Sequence, residues 1–430
     1  MLTPLSHFTL QDWLAHIERL HARPVALGLE RVLAMKRALG AEQTVPLITV
    51  GGTNGKGSTC AMLERILLSA GYRVGLYTSP HLLVYNERVR INGEPAPDAA
   101  LCAAFSRVEA ARGETPLTYF EFGTLAAWQA FAAACVDVVI LEVGLGGRLD
   151  AVNAFDADCA VVASIDLDHM DYLGETREAI GFEKAGIFRA RRPAIVGDAQ
   201  PPQRLLDHAA AIGADLQVLG RDFGFLAEPG QWAYWGRRGR RGGLAHPALR
   251  GAVQLANAST AIAVLEALAA RLPVSMQDVR RGLIEVSLPG RFQVLPGRPA
   301  VVLDVGHNPQ AAGVLADNLG SMAFHPNTWA VFGMLADKDV AGVVGRVKGR
   351  IDHWLVATLP GPRGMAAGAL AGVVKAQGAK AVACFDSPAD AYRAAREKAE
   401  ENDRIVAFGS FLTVADVLHT IDDERKRRTT

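Results

Sequence analysis

The segment Leu47-Ile-Thr-Val-Gly-Gly-Thr-Asn-Gly-Lys-Gly-Ser-Thr59 has the residue types and spacing to bind a polyphosphate. Gly51, Gly52, Gly55 and Gly57 leave backbone N–H groups open to an anion, because no Cβ blocks close approach. Lys56 would neutralise phosphate charge, and the hydroxyls of Ser58 and Thr59 can face phosphate oxygens or a bound Mg²⁺. Thr53 and Asn54 complete the loop. The usual phosphate loop has glycine where Val50 stands and serine or threonine where Gly57 stands, so this is a variant type. A tight strand-to-helix turn with a surface lysine is the alternative.

Other residues could complete such a site. Glu142 closes the apolar run Val136-Asp-Val-Val-Ile-Leu141, and a carboxylate at the C-terminal end of a parallel strand sits where open α/β sheets place ligands. There it could hold Mg²⁺ against nucleotide phosphates. Asp166, Asp168, His169 and Asp171 crowd the end of the next apolar run; His169 reads as a metal ligand or as a structural histidine. Glu183-Lys184 reads as a helix-surface pair. Thr118-Tyr-Phe-Glu121 reads as a capping box, with Thr118 at the N-cap and Glu121 at N3.

These residues need a scaffold, and the pattern supplies one. Strand-like runs Leu47–Val50, Val74–Tyr77, Val136–Glu142 and Cys159–Ile165 alternate with helical stretches Ser58–Ala70 and Thr118–Ala134. This predicts an α/β fold with a mainly parallel sheet buried on both faces. Residues 254–271 read as a helix carrying Asn257. Residues 220–249 differ: Trp232, Tyr234 and Trp235 precede Arg237-Arg238-Gly-Arg240-Arg241. Such a mixture can bind single-stranded nucleic acid, but its glycines and Pro229 favour a solvated β-loop. Residues 293–299 read as a linker. Beyond it the alternation restarts, with strands at 300–305, 329–332, 353–357, 381–384 and 404–408. The expected domains are therefore 1–292 and 300–430, and the charged tail from Asp422 reads as a frayed end.

The 430 residues carry 45 lysines and arginines against 45 aspartates and glutamates, so no overall positive field points to nucleic acid or an anionic membrane. Five scattered cysteines without a C-x-x-C pair suit a reducing compartment. The opening Met-Leu-Thr-Pro-Leu-Ser lacks the pattern of a secretory leader, and no apolar run approaches the ~20 residues of a membrane span. The expectation is a cytoplasmic protein.

In order along the chain stand Leu27-Gly-Leu-Glu-Arg-Val32, Gly52-Thr-Asn-Gly-Lys-Gly-Ser58, Thr78-Ser-Pro-His-Leu82, Glu87-Arg-Val-Arg-Ile-Asn-Gly93 and Tyr119-Phe-Glu-Phe-Gly-Thr-Leu125. Leu141-Glu-Val-Gly-Leu-Gly-Gly-Arg-Leu-Asp150, Asp168-His-Met-Asp-Tyr-Leu-Gly174 and Glu183-Lys-Ala-Gly-Ile187 follow. Pro289-Gly-Arg-Phe-Gln293, Leu303-Asp-Val-Gly-His-Asn-Pro309, Gly333-Met-Leu-Ala-Asp-Lys-Asp339 and Phe408-Gly-Ser-Phe411 complete the set. Together they resemble the folylpolyglutamate synthase/dihydrofolate synthase family of the Mur ligase superfamily, over essentially the whole chain.

The resemblance implies an N-terminal P-loop ATPase domain, a smaller C-terminal Rossmann-like α/β domain, and catalysis in the cleft between them. The implied reaction is ATP-dependent addition of L-glutamate to a folate through an acyl phosphate. By motif position, Ser79 and Glu142 would hold a first Mg²⁺ and His169 a second. Lys184 matches the family lysine that takes up CO₂ as a carbamate, and a monovalent cation is a further implied cofactor. Asn257, Arg291 and Asp304 match ATP-contacting positions, with His307 placed to meet glutamate or the acyl phosphate. Gly28, Leu29, Glu30, Arg31, Thr118, Tyr119, Phe120, Glu121, Leu149, Asp150 and Ala151 match pterin-binding segments. The stretch 27–32 resembles bifunctional members, which use both dihydropteroate and reduced folates. A monomer is implied. The alternatives are a monofunctional member, another Mur-type amino-acid ligase, or a nucleotide-binding switch, which a phosphate loop alone would permit.

Overall fold

Runs of Val, Ile and Leu can be buried on both faces only in the middle of a helix-covered sheet, and that is where they lie. A computed structural model describes residues 7–23, 25–228 and 230–429. Residues 1–6, Pro229 and Thr430, on which the leader, β-loop and tail readings partly rest, lie outside the described residues. The chain forms two units, Met1–Ala248 with Leu255–Val286, and Leu249–Gln254 with Ser287–Thr430.

The first unit is built on eight strands: β1 (Leu47–Gly51), β2 (Val74–Tyr77), β3 (Val89–Ile91), β4 (Glu94–Pro95), β5 (Val138–Glu142), β6 (Cys159–Val162), β7 (Pro193–Val196) and β8 (Asp215–Val218). Their order is β4-β3-β2-β5-β1-β6-β7-β8. The run from β2 to β8 is parallel, and β3 and β4 add antiparallel pairs at one edge. All of β1 and β5 is buried. Helix Tyr119–Ala133 has eleven buried residues, which makes it a core helix without a polar face. Its capping box forms as the spacing predicts: Thr118 Oγ1 accepts from Glu121 N at 3.3 Å, and Glu121 Oε2 accepts from Thr118 N at 2.7 Å.

Several boundaries differ from the sequence reading, each for a local reason. The helix after the phosphate loop starts at Lys56, not Ser58, because Gly55 takes φ +84° as its N-cap. Gly71 and Tyr72 close it by donating to Leu68 O and Leu67 O. Strand β6 stops at Val162, three residues early, because Ser164 turns to bond Asn54. Residues 220–249 are the expected β-region, ordered into an antiparallel sheet of β9 (Gly224–Glu228), β10 (Gln231–Gly236) and β11 (Gly239–Leu244), with β11 mostly exposed. Trp232 and Tyr234 are buried, donating to Ala245 O and Glu266 Oε2. Arg237, Arg240 and Arg241 pair with Asp215, Glu228 and Glu266.

The second unit holds a six-stranded sheet of β12 (Gln293–Leu295), β13 (Ala300–Asp304), β14 (Thr328–Phe332), β15 (His353–Ala357), β16 (Val382–Phe385) and β17 (Arg404–Phe408). The order is β12-β13-β17-β14-β15-β16, parallel except for β12 against β13. The presumed linker thus begins as an edge strand; Pro296 and Pro299 mark the turn that follows. The tail is not frayed through the described residues but continues the helix Phe411–Thr429. Among the described residues no helix is long and apolar enough to cross a membrane.

Candidate active site

Strand β1 delivers the chain to the phosphate loop, and neighbouring β6 fixes the loop's shape. Thr53 N donates to Ser164 O at 2.6 Å, and Asn54 N to Ser164 Oγ at 3.2 Å. Thr53 Oγ1 donates to Asp166 O at 3.0 Å and accepts from Asp166 N at 3.1 Å. Lys56 Nζ folds back onto Gly52 O (3.0 Å) and Thr53 O (3.2 Å). Ser58 and Thr59 are buried on the first turn of the helix, and Gly57 lies between them and the lysine. Gly55 is required twice: by its left-handed φ, and because a Cβ there would lie 2.7 Å from Asn257 Oδ1. Asn257 is therefore brought to the loop from about two hundred residues downstream.

Strand β5 ends beside it. Glu142 is 5% exposed, and its Oε2 accepts from Ser79 N at 3.0 Å. Ser79 follows β2, the adjoining strand, so two neighbouring strand ends bring the two residues together, and each carries a side-chain oxygen. Oxygen donors suit a hard cation such as Mg²⁺, which keeps several waters and takes few protein ligands. No three His, Cys, Asp or Glu residues gather into a metal cluster among the described residues. His169 sits in a left-handed turn (φ +52°) capping a short helix, its Nε2 3.9 Å from Asp168 Oδ2.

Lys184 is not a surface lysine. It is 4% exposed on helix Arg177–Ala185, and its pKa is pushed down to about 7. Burial is the main cause and the charge of Lys56 the second, against the pull of Asp168 and Asp150. Asp150 is buried as well, accepting from Leu145 N (2.8 Å) and Val152 N (3.0 Å). Burial raises its pKa to about 7, with those amide hydrogen bonds and Lys56 opposing. Lys56, Asp150 and Lys184 thus form one electrostatically coupled group.

The three segments matched to pterin binding also converge. Gly28 N donates to Leu149 O at 3.3 Å, and Arg31 forks onto Glu121 at 3.0 and 3.2 Å. Leu29 and Glu30 begin the helix Glu30–Ala38, and Ala151 opens the turn Ala151–Ala154. Tyr119 and Phe120 contact Tyr85 and Tyr77, with ring centroids 6.0 and 5.7 Å apart.

In the second unit, Asp304 ends β13 and accepts from Phe292 N (2.9 Å) and Gly306 N (2.7 Å). Burial raises its pKa, opposed by the Gly306 amide and Arg291. Arg291 lies over the Phe411 ring at 5.0 Å, and His307 Nδ1 is 2.9 Å from Val305 O. The pairing of Asp304 with Phe408 in β17 brings these loops side by side.

Residues 50–213 match the Mur ligase middle domain, and residues 290–411 the Mur ligase glutamate ligase domain. The dihydrofolate synthase/folylpolyglutamate synthase of Escherichia coli K12 is 46% identical over 424 residues, covering 98% of each chain. The chain belongs to the dihydrofolate synthase/folylpolyglutamate synthase family of Mur ligases. A solved structure of E. coli FolC with DHPP and ADP matches 98% of this chain and all of its own, with TM-score 0.94 and 46% identity. A bifunctional folylpolyglutamate synthase/dihydrofolate synthase with Mn, AMPPNP and L-glutamate bound gives TM-score 0.90 at 45% identity, covering 98% of this chain and 100% of that one.

As a member of this ligase family the chain is an ATP-dependent enzyme. Its structure adds supporting contacts that spacing did not show. Ser164 and Asp166 hold the phosphate loop from the neighbouring strand end, and Phe411 supports Arg291. Asp198 Oδ2 accepts from Ile165 N and from Arg177, tying the loop's support to the helix of Lys184. Only Ser164 and Asp166 carried a sequence signal, as polar residues directly after a buried strand.

Proposed function

We propose that this enzyme joins L-glutamate to 7,8-dihydropteroate, forming dihydrofolate, and to reduced folates, extending their glutamate tails. The observation that carries the reading is the near-full-length match to a relative named for both activities, at 46% identity. ATP would phosphorylate a substrate carboxylate, and the glutamate amine would then displace phosphate from the acyl phosphate. Phosphoryl transfer of this kind needs positioning and charge neutralisation more than covalent help from the protein.

The residues fit those tasks. The amides of Gly55, Lys56, Gly57 and Ser58 would grip the phosphates, and Thr53 and Asn54 would complete the nucleotide loop while their own amides anchor it to Ser164. Lys56 Nζ, now 3.0 Å from Gly52 O, would turn to the transferring phosphoryl group. Asn257, Arg291 and Asp304 would hold the nucleotide, and His307 would meet glutamate or the acyl phosphate. Two Mg²⁺ ions, one on Ser79 and Glu142 and one on His169, would supply charge neutralisation at the phosphates.

Lys184 has the chemistry for carbamate formation. With its pKa near 7 it is largely a neutral amine at slightly alkaline pH, the form that attacks CO₂. The new N–C bond releases one amine proton to solvent and turns the neutral amine into an anionic carbamate, an oxygen donor for the second metal. A monovalent cation remains part of the proposal on the family resemblance. Gly28, Leu29, Glu30, Arg31, Thr118, Tyr119, Phe120, Glu121, Leu149, Asp150 and Ala151 would hold the pterin, with Glu121 acting through its fork to Arg31.

The test is ADP release with glutamate, Mg²⁺ and bicarbonate, comparing 7,8-dihydropteroate with tetrahydrofolate and weighing the products by mass. Turnover with both supports the proposal, turnover with one makes the enzyme monofunctional, and turnover with neither overturns it.

A further inference from the structure

The loop that starts at Glu142 and the helix end that carries Lys184 belong to different crossovers of the sheet, yet they meet along a tight seam. Arg148 N donates to Glu183 O at 2.8 Å. Two glycines allow the approach: a Cβ on Gly147 would lie 2.9 Å from Glu183 O and 3.1 Å from Lys184 O. A Cβ on Gly186 would strike Arg148, at 2.3 Å from its Cβ.

One side chain stitches this seam from beneath. Asn153 is 8% exposed. Its Nδ2 donates to Arg148 O at 2.9 Å and to Gly186 O at 3.1 Å, one carbonyl from each strip of chain. Its Oδ1 accepts from Arg189 at 2.9 Å. Asparagine meets this demand because a short primary amide has two N–H donors and a carbonyl acceptor. Aspartate has the same shape but offers no donor, and alanine removes the Nδ2 donor from both carbonyls, leaving Gly186 O only a long contact from Arg189 Nη1 at 3.5 Å.

We propose that Asn153 is a positioning residue for the reaction, holding the Glu142 loop in fixed register with the helix end that presents Lys184. The inference rests on the roles given above to Glu142 and Lys184. Asn153 touches neither reacting atoms nor substrate. It acts through the two carbonyls it joins, one six residues after Glu142 and the other two residues after Lys184. Groups that support metal ligands from outside commonly change metal affinity by about 10–100-fold when altered.

The experiment uses the full chain with Asn153→Asp and Asn153→Ala. Mn²⁺ binding in the presence of ADP is read by electron paramagnetic resonance, ADP binding in EDTA by calorimetry, and folding by thermal melting. The carbamate carbon is followed by NMR with ¹³C-bicarbonate. Asn153→Asp keeps the contact with Arg189, so it is the variant most apt to stay folded. The expected result is Mn²⁺ affinity weakened about tenfold or more in both variants, a diminished carbamate signal, and metal-free ADP binding within about twofold of the parent. Equal Mn²⁺ affinity in parent and Asn153→Asp overturns the proposal. So does a parallel loss of Mn²⁺ and ADP binding, which would mark a purely structural asparagine. If the parent itself shows neither a carbamate signal nor Mn²⁺ binding, the reading of Glu142 and Lys184 fails instead.

Discussion

The two sheets both gather their candidate residues at the C-terminal ends of parallel strands and hold a carboxylate in the same way, but they treat their cations differently. In the six-stranded sheet the buried carboxylate of Asp304 takes two backbone amides, and Arg291 rests on an aromatic face. In the eight-stranded sheet Asp150 is held in the same way, but Lys56 and Lys184 repel each other, and burial has moved Lys184 far from its ordinary pKa. The first arrangement is close to satisfied as it stands. The second leaves two cations facing each other, an arrangement that an anion placed between them would stabilise.

The contrast can be broken at several points, taken here from the largest expected effect downward. Lys56→Ala removes the charge meant for the phosphoryl group, and ADP release should fall about 10²–10³-fold. Lys184→Ala should lower turnover by about 10–100-fold while ADP binding in EDTA stays near normal; unchanged turnover would remove Lys184 from the site. Asp304→Asn tests the satisfied sheet. An amide cannot accept from both Phe292 N and Gly306 N without turning a donor toward one of them, so denaturant unfolding should show a loss of about 1–3 kcal/mol.

A pH series sharpens the comparison further. Burial lowers the pKa of Lys184 from 10.5 to about 7, so between those values the unfolded chain binds a proton that the folded chain does not. Stability from this residue therefore rises with pH across that window, and the buried cation destabilises most below about pH 7. Lys184→Met should raise the melting temperature most at the acidic end and least near pH 10; a gain independent of pH would contradict the burial argument. The smallest effect is expected from Arg148→Ala. Its fork to Glu183 is 44% exposed on the arginine side, and melting should register under about 1 kcal/mol.

Much of this was legible in the chain because the determining signals are local. The glycines and lysine of the phosphate loop, the Thr118–Glu121 cap and the apolar strand cores each depend on residues a few positions apart. The start of the helix at Lys56 was missed because it depends on a left-handed Gly55. That conformation is compatible with the sequence but not dictated by it. Strand β12 was taken for a linker since three residues directly before Pro296 carry no periodicity; only the partner β13 makes them a strand. Residues 220–249 were legible only in part: Arg237 and Arg240 stay exposed, but the burial of Trp232 and Tyr234 depends on Ala245 and Glu266, more than ten positions away. The burial of Lys184 was hidden for the same reason. A Glu–Lys step on a helix looks like surface, and nothing local says that a glycine-rich loop will cover it.

The bonding of the phosphate loop to the end of β6 bears on how the loop fluctuates. Thr53 and Asn54 place their amide hydrogens on Ser164 rather than in water, before any nucleotide arrives. Many phosphate-binding amides would exchange quickly with deuterium until a ligand covers them. These two are expected to be slow already and to open only when the β6 end opens with them. Nucleotide would then leave their protection largely unaltered and slow the amides of Gly55 to Ser58 instead. Exchange measured amide by amide would therefore separate the scaffold of the loop from the part that grips.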